Sequence, residues 1–64
     1  MKIFKIKFLK EKPYTQKEGN QTLTSVYSEP DEGWWIVYAD TILTQKEALD
    51  ILKNDELLDK YLES

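Results

Sequence analysis

Apolar and polar positions alternate from Lys2 to Lys10, where Phe4, Ile6 and Phe8 interleave with Lys5 and Lys7. A period of two is the period of a strand, so the stretch predicts a strand over 2–10 with an aromatic inner face and a lysine-bearing outer face. Pro13 marks it as an edge strand, because proline cannot donate to a ladder. Lysines on an edge discourage pairing with a second sheet. Lys17-Glu18-Gly19-Asn20 then has the composition of a tight hairpin turn with Gly19 at positive φ. Residues 21–28, rich in Thr22, Thr24, Val26 and Tyr27, predict a second strand, with Leu23 and Tyr27 on one face and Val26 on the other.

The run Trp34-Trp35-Ile36-Val37-Tyr38 is unbroken by polar residues and consists wholly of β-branched and aromatic side chains, a composition suited to a pleated surface. It predicts a third strand over 34–40. Alternation places Trp34, Ile36 and Tyr38 on one face and Trp35, Val37 and Ala39 on the other, so both faces are apolar and both need cover. Pro30 and Gly33 bracket the turn before it. Three strands in chain order predict an antiparallel meander, with 21–28 in the middle and the tryptophan strand on an edge.

Beyond Ile42 the period changes. Thr44-Gln45-Lys46-Glu47 has the capping-box form, in which the Thr hydroxyl accepts from the third amide and the Glu carboxylate reaches back. Ala48, Leu49, Ile51 and Leu52 follow at helical spacing, predicting a helix over 45–53. Asn54 and Asp55 are good caps and poor helix formers, so a second short helix over 55–62 is expected after a break, the competitor being one continuous helix. The fold class is α+β, a three-stranded antiparallel sheet with a C-terminal helical segment on one face. Phe4, Ile6, Phe8, Val26, Val37, Ala48, Leu49, Leu52 and Leu58 form the expected core. Small Ala39 allows close approach, so Trp35, Val37 and Ala39 are assigned to the helix side.

Composition narrows the chemistry. A chain of 64 residues makes one small domain, 1–64, and buries only roughly 60% of the surface its unfolded form exposes. Cysteine and histidine are both absent, which removes thiolate chemistry, the commonest general base and the commonest transition-metal ligand together. Ser25, Ser28 and Ser64 have no histidine to activate them, the acidic residues lack an EF-hand spacing, and two isolated glycines build no phosphate loop. No enzyme activity, cofactor or metal site is expected. The apolar runs are too short to span a bilayer and Met1 to Leu9 holds no continuous apolar stretch of signal-peptide type, so the expected location is the cytoplasm.

Function is then a question of surfaces. Two tryptophans on opposite faces cannot share one core, and a single helical layer covers a single face. The outward patch Trp34, Ile36 and Tyr38 is therefore the expected protein interface, covered by a partner protein or by a second copy in a homodimer, since tryptophan and tyrosine are common interface anchors. Val37-Tyr38-Ala39-Asp40-Thr41 leading into Glu47-Ala48-Leu49 resembles the strand-to-helix corner of several small bacteriophage proteins that inhibit host enzymes. The resemblance implies a phage or mobile-element protein that binds a host factor. The alternative function is single-stranded nucleic-acid binding through Lys5, Lys7, Lys12 and Tyr14 beside the sheet aromatics. Residues 1–20 carry six lysines against Glu11 and Glu18, whereas residues 21–64 carry three lysines against ten acids. All nine basic residues are lysines, so bidentate recognition of phosphate or guanine is absent, and nucleic acid ranks below a protein partner. The acids Glu47, Asp50, Asp55, Glu56, Asp59 and Glu63 would suit a third role, mimicry of nucleic acid by a helical face.

Overall fold

The computed structural model describes residues 1–63, so Ser64 lies outside it. The elements in chain order are β1 (Ile3–Leu9), β2 (Lys17–Glu18), β3 (Gln21–Ser28), β4 (Gly33–Ala39), α1 (Gln45–Leu52) and α2 (Asp55–Tyr61). The fold is α+β, and its antiparallel sheet has four strands in the order β1-β4-β3-β2, one more than the alternation predicts. The additional strand is the two-residue arm of the hairpin at Gly19, paired as Lys17 with Thr22 and Glu18 with Gln21. Gly19 has φ +60 and Asn20 does not share a positive φ, the pattern of a type II′ turn.

The strand order also corrects the meander. The tryptophan strand β4 is central, flanked by β1 and β3, and it is not an edge. Chain order favours pairing of sequence neighbours, but β4 is the strand apolar on both faces, and such a strand gains most from the middle of a sheet. Phe8 pairs with Trp35 and Ile6 with Val37 on one side of it, while Val26 pairs with Trp35 and Thr24 with Val37 on the other. The lysine-bearing β1 takes an edge, as expected from the sequence.

Both helices lie on the face of Trp35, Val37 and Ala39, where they complete a core of Ile3, Ile6, Val26, Val37, Ala39, Leu43, Ala48 and Ile51. Phe4 is not in that core. A register shift between Ile3 and Lys5 turns Ile3 toward the helices and Phe4 toward the opposite cluster, a local irregularity that period-two reasoning cannot anticipate. Leu49 is also outside it, 39% exposed, because Ala48 and Ile51 take the sheet-facing positions of α1.

The helix ends follow local chemistry. The Glu47 N–H donates to Thr44 Oγ1 at 3.1 Å and the Thr44 N–H to Glu47 Oε1 at 2.9 Å, a complete capping box. Leu43 and Ala48, one before the cap and one in the first turn, meet in the core as a hydrophobic staple. Asn54 Oδ1 accepts from the Glu56 and Leu57 N–H groups, which starts α2 and separates two helices. Among the described residues no helix is long and apolar enough to cross a membrane.

Candidate interaction surface

The face opposite the helices is built from three strands in register. Leu9 lies across from Trp34, Lys7 from Ile36 and Lys5 from Tyr38 on the β1 side, and Tyr27, Ser25 and Leu23 lie across from the same three residues on the β3 side. Leu23, Ile36 and Tyr38 form a buried cluster, with Phe4, Leu9 and Trp34 packed around it. Among the described residues no helix covers this layer. Its centre is shielded instead by the long side chains of its neighbours, so Ile36 is fully buried and Tyr38 is 4% exposed. These two residues are the floor of the surface, while half-buried Trp34 and exposed Tyr27 stand at its rim.

The lysines are part of the same surface. Lys5 Nζ sits 4.6 Å from the centroid of the Tyr38 ring, and Lys12 Nζ sits 5.2 Å from that of Trp34. Each ammonium is held over the negative face of an aromatic ring while its stem covers apolar surface. The Tyr27 and Trp34 rings meet edge to face at 5.1 Å at the hairpin end. Burial of the Tyr38 phenol, then the negative charge of nearby Glu18, and finally that of Glu63, push its pKa up. Tyr14, by contrast, is wholly exposed and stands outside the buried cluster.

Sequence reasoning identified Trp34, Ile36, Tyr38, Lys5, Lys7, Lys12 and Tyr14 separately, as two competing surfaces. The structure brings the first six close together and leaves Tyr14 aside. Tyr27 and Leu9 were not singled out. Tyr27 was visible through alternation, since it shares a face with Leu23, but its contact with Trp34 depends on a register that chain order mis-assigned.

Depressions lie beside this surface and across the sheet from it. An open groove of about 710 Å³ runs along the outer side of β3, bounded by Lys12, Lys17, Asp40 and Ile42 among others. A smaller cleft of about 410 Å³ on the helix-bearing side is lined by Phe8, Asp31, Trp35, Leu62 and Glu63. Among the described residues no group of three acidic side chains is placed to hold a metal ion. Compared with protein-family models, with curated proteins and with solved structures, the chain finds no match in any of the three.

Proposed function

We propose that the chain is a small non-catalytic protein-interaction module that docks through the helix-free face of its sheet onto an acidic surface of a partner protein. The observation that carries this reading is the layering of Lys5 and Lys12 over Tyr38 and Trp34. Such a face offers ammonium groups above an apolar floor, and its complement is a surface of carboxylates around an apolar anchor. One acid, Glu18, stands beside Tyr38, and a larger acidic group, Glu47, Asp50, Asp55, Glu56 and Asp59, is exposed on the helices. A second copy could therefore present the required charge, but the contact would join two different patches, and head-to-tail contacts close into rings or grow into filaments.

Single-stranded nucleic acid is the second reading, favoured by the placement of Lys5 and Lys7 on the face that carries Trp34. Base stacking needs open ring faces, however, and the ammonium groups already occupy those of Tyr38 and Trp34. The protein partner fits better.

The test is capture from nuclease-treated lysate with wild type, Trp34→Ala, the double variant Lys5→Glu/Lys7→Glu, and Lys53→Glu as a charge control on the helical side. Stoichiometric capture that both sheet-face variants abolish and Lys53→Glu leaves intact supports the reading. Growth of oligomer mass with concentration, lost in the same variants, assigns the face to self-association. Binding to an oligonucleotide that falls steeply with added salt would replace the proposal with the nucleic-acid reading.

A further inference from the structure

The cleft at the hairpin end of the helix-bearing side has a chemistry that the interaction surface does not share. Its walls are the rings of Phe8 and Trp35, whose centroids lie 5.0 Å apart with a 52° angle between planes, so together they form an angled aromatic corner. Leu62, Asp31 and Glu63 complete the lining, and both acidic residues are exposed. The parts are fixed in place. The Trp35 indole N–H donates to Asp31 Oδ2 at 3.3 Å, and the Ser28 hydroxyl donates to the same oxygen at 2.8 Å. Asp31 Oδ1 has no hydrogen-bond partner among the described residues. Glu63 is held by its backbone N–H, which donates to the Ile6 carbonyl at 2.8 Å.

A corner of two rings flanked by two carboxylates attracts a cation, because the ring faces and the carboxylates are all negative. The molecule supplies its own example. Lys10 Nζ lies 5.6 Å from the Phe8 centroid and donates to the Asp31 carbonyl at 3.4 Å, so an ammonium group already rests on one wall next to the cleft. The volume of about 410 Å³ falls in the range of small-ligand sites, roughly 300–1,000 Å³. A primary ammonium is strongly hydrated and loses that hydration in a half-open apolar corner. An alkylated ammonium presents methyl groups to the rings and keeps its charge for the carboxylates.

We propose that the Phe8, Trp35, Asp31 and Glu63 cleft is a binding site for a quaternary ammonium group. The site is on the other side of the sheet from Trp34, and it stands independently of the interaction surface.

The experiment is a titration of the intact, isotope-labelled protein with choline, read from its two tryptophan indole N–H signals by nuclear magnetic resonance. Its neutral isostere 3,3-dimethylbutan-1-ol and a short peptide bearing trimethyl-lysine are run in parallel. The Trp35 indole signal should move saturably while that of Trp34 stays still. An interaction of cation–π type predicts that the neutral alcohol binds about 2- to 30-fold more weakly. Glu63→Gln and Asp31→Asn, both at exposed positions, should each weaken choline binding without altering the dispersion of the spectrum. Saturation by choline and peptide alike identifies the ammonium head as the recognised group, and saturation by the peptide alone identifies its source as a modified protein. Equal binding of the neutral alcohol, equal movement of both indole signals, or no movement of the Trp35 signal with either cation overturns the proposal.

Discussion

Gly33 opens β4 beside the end of β1, and a methyl group there has no room. A Cβ built on Gly33 would run into Cζ and Cε2 of the Phe8 ring and come within 3.0 Å of the Leu9 carbonyl oxygen. The backbone of Gly33 is not in the left-handed region, so conformational freedom is not what the position demands. Two effects of Gly33→Ala then oppose each other. Alanine restricts the unfolded chain and would stabilise by about 0.4–1 kcal/mol where the native backbone accepts it. Overpacking costs about 1–3 kcal/mol when the displaced group cannot move freely. Phe8 lines an open cleft and can yield only in part, because its ring is packed on Trp35 at 5.0 Å with Lys10 above it, and the Leu9 carbonyl is backbone of β1 and cannot turn aside. At the middle of the two ranges overpacking wins, about 2 against about 0.7 kcal/mol, leaving a net loss of about 1.3 kcal/mol.

The unfolding entropy of a domain this size is about 0.13 kcal/mol/K, from roughly 2.1 cal/mol/K per residue. The melting temperature should therefore fall by about 10 °C. Urea unfolding followed by circular dichroism measures the loss, and the cause is isolated by a double-mutant cycle with Phe8→Leu. If the Phe8 ring is the obstacle, the two losses are less than additive, because leucine leaves space for the new methyl group. Stability unchanged within about 0.5 kcal/mol, or strictly additive losses, would refute the steric account.

Four further outcomes follow from the local chemistry. Thr44→Ala removes the acceptor for the Glu47 N–H and should cost about 1 kcal/mol by thermal unfolding. The hydrogen bonds with Thr44, backbone first, hold the Glu47 carboxyl below its ordinary pKa; its stabilising effect is complete above that ordinary value and fades as pH falls through the depressed one, so Glu47→Gln should flatten the acid limb of stability. The raised pKa of Tyr38 has the opposite consequence, with stability complete below the ordinary tyrosine pKa and declining as pH climbs above it, where the unfolded phenol ionises first. Absorbance titration at alkaline pH should show one late-titrating tyrosine that Tyr38→Phe removes. Glu32 holds φ 52, a conformation that costs a side-chain-bearing residue about 1–2 kcal/mol, so Glu32→Gly should raise stability by about 0.5–1 kcal/mol after the entropy it returns to the unfolded chain; a lower midpoint in urea would show that the turn is not strained there.

What was legible in the sequence was local. The capping box at Thr44, the break at Asn54 and the positive φ of Gly19 each rest on chemistry within four residues, and each is present. The division of Trp35, Val37 and Ala39 from Trp34, Ile36 and Tyr38 followed from strict alternation over an unbroken strand. Alternation failed at Phe4, where a register shift between Ile3 and Lys5 reverses the facing. Strand order failed for a different reason: β1 reaches β4 across an intervening hairpin, and nothing within either strand announces a partner so distant in the chain. A correct criterion was nevertheless present. The strand with two apolar faces should have been placed centrally, ahead of the preference for pairing neighbours. The aromatic cleft was invisible because Phe8, Asp31 with Trp35, and Glu63 come from the first strand, the hairpin and the end of the chain.

The treatment of the sheet edges bears on which surface a partner can use. An edge strand is a template for another chain, so an unguarded edge competes with any face as a docking site. On β1 the outer rim is bridged by the C-terminal residues: Leu62 pairs in parallel with Ile6, and the Glu63 N–H binds the Ile6 carbonyl. On β3 the rim is taken first by β2, then by the Gln16 carbonyl, which accepts from Leu23, and then by the Gln45 side chain, which donates to the Ser25 carbonyl at 2.8 Å. Both rims are therefore partly occupied by the chain itself, and the helices occupy one face. Lys5 and Lys7 gain a different meaning from this arrangement. As guards of an edge they would duplicate a bridge already made by residues 62–63, whereas their register opposite Tyr38 and Ile36 puts them on the uncovered face. Exchanging them for glutamate consequently probes that face, and leaves the guarded rim of β1 with the backbone bonds that close it.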